Sequence, residues 1–354
     1  MFKIRNVSVM LPALLLPAAL LCCGQAGRAD LPPTQHDIVP ADSKLELLFD
    51  GCCALSEGVA VAPDGMLYFS DITFSHKCRD DFGNVEAGNI WKLDPKTKEA
   101  TIFRSPSGMS NGLKFDAAGN LLAAEGADYG GRRVTRTDMK TGRTHVIAGL
   151  FQGRKFNSPN DISLDEKGRI YFSDPRYLGH ETIDQPLQAV YRIDPDASIH
   201  RIITDVGKPN GVCVSPDQKS LYVVSNDNGS AGIEQLSEDT PTHKGQMALL
   251  AYDLSPAGEA TFRKVLVDYY PQDGPDGLIA DRDGNLYVAV RDVTRPGICV
   301  YSPDGTELAY IETEIPTNVG FGRGQDSRTL YITAGKSVYR IRLKKEGYQL
   351  PPVK

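Results

Sequence analysis

The chain has 354 residues, of which 45 are acidic and 39 are basic, and its formal charge at pH 7 is −6. A charge of this sign argues against a nucleic-acid partner, which would require a basic surface. Hydrophobic residues make up 41% of the chain, which is enough for a core and excludes wholesale disorder. The 34 glycines and 23 prolines favour a turn-rich β protein over a helical one.

The N-terminal segment predicts a secretory signal peptide over residues 1–29. A basic start and the apolar run VSVMLPALLLPAALLC precede a small-residue cleavage site at Ala29. The apolar run contains two prolines and falls short of the ~20 residues that a transmembrane helix needs. A lipoprotein anchor at Cys22 or Cys23 is the alternative. The mature protein is therefore expected to be exported, either to a periplasm or into the medium, and to be free of the membrane.

Five cysteines remain in the exported chain, and export makes disulfides permissible. None of them has metal-ligand spacing or forms a CxxC motif, and an odd number leaves at least one unpaired. Either Cys52 or Cys53 is expected to pair with Cys78. Cys213 and Cys299 are expected to be small buried side chains within strands, so no catalytic cysteine is predicted.

The rest of the chain contains six copies of one pattern. Each copy has a polar residue, a small residue, an apolar alternation, a tight turn and a strand, as in SEGVAVAPDGMLYFSD, and the copies are spaced roughly 50 residues apart. The polar residues at the start of the six copies are Glu57, Asn111, Asn160, Asn210, Asp276 and Asn318.

The alternation within each copy predicts β-strands. Two strands of period 2 are joined by an Asp/Gly turn such as Asp64-Gly65, and two more strands usually follow. In the first unit these are expected at Asn89–Asp94 and Ala100–Arg104. Four antiparallel strands repeated six times predict an all-β, six-bladed β-propeller, whereas the repeats of a solenoid are usually shorter.

The ends of the chain are expected to close the ring. A strand at Leu45–Phe49 is predicted to pair with Ser337–Leu343 in the last blade, which would remove two exposed sheet edges. The predicted organisation is thus a lead-in over residues 30–44, one propeller domain over 45–343 and a tail over 344–354.

The repeated polar position is predicted to line one mouth of the central channel. Its side chains offer only oxygen ligands to a cation, which favours Ca²⁺ or Mg²⁺ over zinc. Glu57 and Asp276 would supply two negative charges to match one divalent cation. The alternative interpretation treats Asn-Gly and Asp-Gly as turn residues that tolerate positive φ, but it leaves Glu57 unexplained.

Long polar loops are expected over the same mouth, where a substrate would bind. Asp174 and His180 are the candidate substrate contacts in the loop that follows IYFSD. The loop Asn226–Gln246 is expected either to cap the site or to contact another subunit.

Several motifs resemble the gluconolactonase/senescence-marker-protein family, and the resemblance covers roughly Leu45 to Leu343. The motifs that carry it are Ser56-Glu57-Gly58, Pro159-Asn160-Asp161, Ser173-Asp174-Pro175, Pro209-Asn210-Gly211 and Pro275-Asp276-Gly277. The stretch from Phe103 to Gly112 is similar to the bacterial branch of the family. The chain departs from that branch at AEGADY, where the relatives tend to have Glu-His before the paired arginines.

The resemblance implies a propeller that holds one catalytic divalent cation and hydrolyses sugar lactones. The cation would be Ca²⁺, with Mg²⁺, Mn²⁺ or Zn²⁺ as alternatives, and its ligands would be Glu57, Asn160, Asn210 and Asp276. Asn111 and Asn157 become candidate substrate contacts, while Asn318 belongs to the repeated position without a metal role in the family.

Metal-assisted ester hydrolysis is the predicted reaction, with Asp276 as general base and Asp174 or His180 as alternatives. The expected partner is a small-molecule lactone or ester. Two other functions fit the fold: an esterase or phosphotriesterase of the paraoxonase or fluorophosphatase type, and a non-catalytic ligand-binding propeller.

Overall fold

The computed structural model describes residues 31–229 and 243–350. The predicted signal peptide, residues 1–29, and the middle of the loop Asn226–Gln246 lie outside these ranges. Within them the chain is almost entirely β-structure, with one short helix, α1 (Gln35–Ile38), and one 3₁₀ turn, Gly324–Asp326. No helix in the described ranges is long and apolar enough to span a membrane.

Six four-stranded antiparallel sheets, here called blades 1 to 6, build the fold. Ahead of blade 1 lies β1 (Glu46–Asp50). Blades 1 and 2 contain β2 (Leu55–Val61), β3 (Leu67–Ile72), β4 (Asn89–Leu93), β5 (Ala100–Arg104), β6 (Ser110–Phe115), β7 (Leu121–Glu125), β8 (Arg133–Thr137) and β9 (Thr144–Ala148).

A two-stranded hairpin separates blade 2 from blade 3, and it contains β10 (Leu150–Phe151) and β11 (Arg154–Lys155). Blades 3 and 4 contain β12 (Ile162–Leu164), β13 (Ile170–Asp174), β14 (Ala189–Ile193), β15 (Ile199–Ile203), β16 (Pro209–Val214), β17 (Ser220–Asn226), β18 (Met247–Leu254) and β19 (Ala260–Asp268). Blades 5 and 6 contain β20 (Leu278–Ala280), β21 (Leu286–Val290), β22 (Gly297–Tyr301), β23 (Glu307–Glu312), β24 (Pro316–Phe321), β25 (Thr329–Ala334) and β26 (Ser337–Arg342).

The first strand of each blade contacts the first strand of the next, and the order closes on itself. β2 contacts β6, β6 contacts β12, and the series continues through β16, β20 and β24 back to β2. The six-bladed propeller predicted from the repeats is therefore confirmed.

The ring closes through the two ends of the chain, as predicted. β1 pairs antiparallel with β26, with Glu46 opposite Arg340 and Asp50 opposite Ser337. The sequence analysis placed no element in the lead-in, but α1 packs there against β23. The Gln35 side chain donates to the carbonyl of Tyr310 at 2.9 Å and accepts from its N–H at 2.8 Å.

The core lies between the blades, because each inner blade strand is covered on both faces. β7 and β13 are buried along their whole length, and each begins with apolar residues and ends in a buried carboxylate, Glu125 in β7 and Asp174 in β13. Between blades 5 and 6, Tyr287 packs edge-to-face on Phe321 with ring centroids 5.0 Å apart. Burying side chains of this size contributes about 1.5–3 kcal/mol each.

One disulfide links Cys53 to Cys78, which is one of the two pairings predicted. It ties the start of β2 to the loop after β3. Cys52, Cys213 and Cys299 are free and buried, and the last two lie within strands as expected.

The segment after blade 6 covers the end of the channel opposite the repeated polar residues. Tyr348 donates its N–H to the carbonyl of Ala280 at 3.2 Å, and Gln349 donates its side-chain amide to the carbonyl of Phe321 at 3.4 Å. A cavity of about 100 Å³ lies beneath this segment.

Candidate active site

The repeated polar residues converge on one mouth of the channel, as the propeller geometry requires. Asn111 and Asn210 are the second residues of the inner strands β6 and β16. Glu57 is the third residue of β2. Asn160 and Asp276 lie two residues before β12 and β20. All five line a cavity of about 270 Å³.

The backbone decides between the channel interpretation and the turn interpretation of these residues. Asn111, Asn210 and Asp276 do not adopt positive φ, and the first two lie within strands rather than turns. The glycines that follow allow close approach between blades, and Gly58 also has a positive φ of 53°. A Cβ on Gly58 would lie 1.9 Å from the carbonyl oxygen of Asn111, and one on Gly112 would lie 2.7 Å from that of Asn160.

Hydrogen bonds between neighbouring blades hold the ring of polar residues together. Gly112 donates its N–H to the carbonyl of Asn160 at 2.7 Å, and Gly211 donates to that of Asp276 at 3.2 Å. The backbones of Asn160 and Asp276 are thus each fixed by the blade before them.

Two carboxylates of the ring are buried close enough to repel each other. Glu57 is 2% exposed and Asp276 is 7% exposed. Burial, followed by repulsion from Asp276, raises the pKa of Glu57 well above its usual range. Burial also raises the pKa of Asp276, and the guanidinium of Arg291 lowers it. Such a pair is stabilised by a positive charge placed between its members.

A third carboxylate, Asp161, lies beside the ring and was not singled out from the sequence. Its side chain is 1% exposed, and it contributes to the raised pKa values of both Glu57 and Asp276. One of its oxygens accepts the N–H of Val212 at 3.1 Å, while the other has no partner. Its position in the repeat could have identified it, because Asp161 follows the ring residue at a place where four of the six copies have glycine.

The donor set fits a hard divalent cation. The side-chain oxygens of Asn111 and Asn210 are buried and have no hydrogen-bond partner, so they are available as neutral ligands. Together with Glu57, Asn160 and Asp276, which line the same cavity, they form an oxygen-only set whose two carboxylates match the charge of one divalent cation. In the described ranges, no group of three or more His, Cys, Asp or Glu side chains has the arrangement of a metal site, so amide oxygens would have to complete the shell.

Asn318 occupies the sixth ring position but does not line the cavity. Its side-chain amide donates to Glu57 at 3.3 Å, and its carbonyl side-chain oxygen accepts the N–H of Val319 at 2.9 Å. Asn318 therefore helps to orient the side chain of Glu57.

Asn157 and Asp174 lie behind the cavity wall and not on it. Both are fully buried, and Asp174 accepts the N–H groups of Asn157 at 2.9 Å and Ser158 at 2.7 Å. Burial raises the pKa of Asp174 to about 7. The Asn157 side chain exchanges hydrogen bonds with the backbone of Gln185. The two predicted contacts thus hold the loop that carries Ser158 and Asn160.

His180 is exposed and also lies outside the cavity lining. Its ring packs against Tyr129 with centroids 4.3 Å apart, and its Nδ1 is 3.9 Å from a carboxylate oxygen of Asp128.

Two cavity residues escaped the sequence analysis as individuals. Arg291 directly follows β21 and donates to Asp276 at 2.9 Å. Tyr177 donates to the carbonyl of Asn226 at 3.1 Å, and burial raises its pKa well above the usual range. Nothing in the local pattern distinguishes them from other loop residues.

The chain is similar in sequence to known proteins. A family described as the SMP-30/Gluconolactonase/LRE-like region matches residues 55–336. A gluconolactonase from Zymomonas mobilis is 32% identical over 254 residues, which cover 69% of this chain. A lactonohydrolase, oryL, from Aspergillus oryzae is 29% identical over 272 residues, or 72% of this chain. The chain spans 65% and 61% of the lengths of these two relatives, less than two thirds of either.

Solved structures show the same architecture. The structure of a gluconolactonase from Xanthomonas campestris superimposes with a TM-score of 0.69 and 26% identity, covering 86% of this chain and 90% of that one.

Proposed function

The chain belongs to the SMP-30/gluconolactonase/LRE-like family, and we propose that it is a hydrolase that opens a lactone ring at the cavity lined by Glu57, Asn160, Asn210 and Asp276. The observation that carries the proposal is the convergence of these four residues with Asn111 on one cavity, where two amide oxygens have no partner. Relatives named as a gluconolactonase and a lactonohydrolase support the reaction class.

The same four residues would hold a divalent cation, for which Ca²⁺ is the best candidate. Their oxygens match the ligands that Ca²⁺ prefers, and the mutual repulsion of the buried carboxylates supports a bound positive charge. When bound, the cation would polarise the lactone carbonyl and stabilise negative charge in the transition state.

Asp276 is proposed as the general base. The water oxygen bonds to the carbonyl carbon, and the water proton passes to the Asp276 carboxylate. The ring C–O bond then breaks, and its oxygen takes the proton from Asp276, leaving a hydroxy acid. The Asp276 carboxylate borders the cavity, and Arg291 orients it by binding one of its oxygens.

We also propose that the protein is exported and works after removal of residues 1–29. The Cys53–Cys78 disulfide supports this proposal, because such bonds persist in oxidising compartments.

The proposed function is tested by titrating the acid released from a panel of lactones by the protein that starts at Asp30. The panel contains D-glucono-δ-lactone, the sugar lactone expected from the sequence, and simple δ-lactones, and an aryl ester and a phosphotriester are assayed beside it. Spontaneous hydrolysis is subtracted with an enzyme-free blank. Turnover that EDTA abolishes and Ca²⁺ restores is expected, and Asp276→Asn should remove it while keeping the fold. Hydrolysis of aryl esters or phosphotriesters alone would replace the lactonase proposal with the alternative esterase function.

A further inference from the structure

The cavity has two unlike walls. The wall built by blades 1 and 2 is apolar and consists of Leu55, Ile72, Phe74 and Met109. The wall built by blades 4 and 5 is polar and consists of Asn226, Asn228, Asp273 and Arg291. In a ring of six blades, blade 1 is opposite blade 4 and blade 2 is opposite blade 5, so the two walls face each other across the ring of polar residues.

The apolar wall contains two large side chains on unusual backbone. Phe74 has φ 48° and Met109 has φ 55°. Non-glycine residues rarely adopt this left-handed region, and a bulky residue persists there only when its surroundings hold it. Backbone strain of this kind clusters at ligand sites.

The surroundings of Phe74 hold it firmly. The next residue, Ser75, donates its N–H to Asp128 at 2.8 Å and its hydroxyl to the same carboxylate at 2.6 Å. The carbonyl of Phe74 accepts the N–H of Lys77 at 2.7 Å. The disulfide Cys53–Cys78 ties the same turn to the start of blade 1.

Met109 is fixed by the backbone on both of its sides. It donates its N–H to the carbonyl of Ala87 at 2.9 Å, and its own carbonyl accepts the N–H of Gly126 at 2.9 Å. The side chain is 2% exposed in the protein and borders the cavity together with Ile72.

From these contacts we infer that the substrate is a lactone whose ring carries an alkyl substituent, which binds against Phe74, Met109, Leu55 and Ile72. This inference rests on the proposed function and names its substrate class. A polyhydroxylated sugar lactone presents hydroxyls on most of its atoms and would leave some of them unpaired against this wall. An alkyl-substituted lactone places its ester at the polar ring and its chain on the apolar wall.

The experiment compares kcat/KM along a series of δ-lactones that share one ring. The series contains δ-valerolactone and its 5-methyl, 5-propyl and 5-pentyl derivatives, together with D-glucono-δ-lactone. Each methylene buried on the apolar wall is expected to raise kcat/KM by about fourfold. The 5-pentyl lactone should therefore exceed δ-valerolactone by more than tenfold.

Two variants test whether the apolar wall causes the rise in kcat/KM with alkyl length. Asparagine tolerates left-handed backbone, so Phe74→Asn and Met109→Asn remove apolar surface without adding backbone strain. Each should lower the ratio of kcat/KM for the 5-pentyl lactone over δ-valerolactone by at least fivefold. The matched control is Tyr129→Asn, since Tyr129 has φ 64° and is 57% exposed, but it lies outside the cavity lining. It should leave the ratio unchanged.

The outcomes separate the inference from the function on which it rests. If D-glucono-δ-lactone or δ-valerolactone is hydrolysed and the alkyl series is flat or falling, the inference is wrong and the lactonase proposal stands. If no lactone is hydrolysed, both are wrong. Circular dichroism shows whether each variant folds, and if one does not, the other still tests the apolar wall. If a folded variant leaves the ratio of kcat/KM for the 5-pentyl lactone over δ-valerolactone unchanged, as the control does, the inference is also wrong.

Discussion

Arg291 and Asp276 form an ion pair of 2.9 Å between Nη1 and Oδ2 at the edge of the cavity. Arg291 also donates to the carbonyl of Pro316 at 3.4 Å, so it connects the carboxylate of blade 5 to the first strand of blade 6. One oxygen of the proposed general base is therefore engaged by a fixed cationic group.

Replacing Arg291 by glutamine is expected to move the acidic limb of the pH profile upward. Burial raises the pKa of Asp276 and Arg291 lowers it, so removing the guanidinium lets the pKa rise further. The basic form of Asp276 is then lost at a higher pH. The measurement is kcat/KM against pH at saturating Ca²⁺, with Arg295→Gln outside the cavity as control. An unmoved limb would remove Asp276 from the role of base.

Neutralising Glu57 is expected to stabilise the protein in EDTA and to weaken its response to Ca²⁺. Glu57→Gln removes a buried charge that repels Asp276, but it also removes a ligand. In thermal unfolding, the unmodified protein should gain stability with Ca²⁺, about 2.7 kcal/mol at one hundred times the dissociation constant. Glu57→Gln should begin from a higher Tm in EDTA and gain less, whereas the exposed Glu99→Gln should behave as the unmodified protein does. A full Ca²⁺ response in Glu57→Gln would contradict the ligand assignment.

Asp174 is expected to make stability fall as the pH rises. Its pKa is raised by burial to about 7 in the folded protein, against 3.8 in its usual range. Between these values the folded state binds more protons than the unfolded state, so the free energy of unfolding decreases from pH 4 to pH 7. Asp174→Asn keeps an acceptor for only one of the two N–H groups, which bind different oxygens of Asp174, so it should be less stable at every pH but should lack this decrease. Urea unfolding at pH 4.5, 6 and 7.5 measures it, and the two proteins should diverge by more than about 1 kcal/mol. Parallel curves would show that Asp174 is already ionised when folded.

Reducing the disulfide is expected to lower the free energy of unfolding by roughly 3 kcal/mol, because Cys53 and Cys78 enclose a loop of 25 residues. Urea unfolding with and without dithiothreitol measures the loss. The variant with both cysteines changed to serine should start from the lower value and show no response to reductant. If dithiothreitol lowered the free energy of unfolding through the free cysteines instead, the variant with both cysteines changed to serine would still be destabilised by it.

The fold could be predicted because its determinants are local and repeated. Apolar alternation and the ring position recur from blade to blade, and tight turns join the first two strands, as at Asp64-Gly65 in blade 1 and Asp283-Gly284 in blade 5. The pairing of β1 with β26 followed from the need to cover sheet edges. Helix α1 could not be predicted, because its four residues are too few for periodicity and it is held by contacts of Gln35 with a distant strand.

The site was predicted in part for the same reason. Glu57, Asn160, Asn210 and Asp276 stand at equivalent positions, so the repeat alone brings them together. Loop side chains carry no such constraint.

Asp174 and Phe74 illustrate this limit. Asp174 is the last residue of β13 and accepts two N–H groups behind the cavity wall, whereas Phe74 lies two residues beyond β3 and lines the cavity. Only tertiary hydrogen bonds decide between the two directions.

The shared last blade also sets the order in which the protein can assemble. Glu46 and Arg340 lie side by side although 294 residues separate them, so the final blade cannot form until nearly the whole chain has been synthesised. Blades 1 to 5 each consist of four consecutive strands and can form as neighbours in sequence. Contacts of such long range are slow to form, which makes closure the expected late step of folding. Glu57 and Asp276 lie on either side of blade 6, so an intact ring is what brings the two carboxylates together. Acquisition of Ca²⁺ would then serve as a kinetic marker of the moment at which the circle is completed.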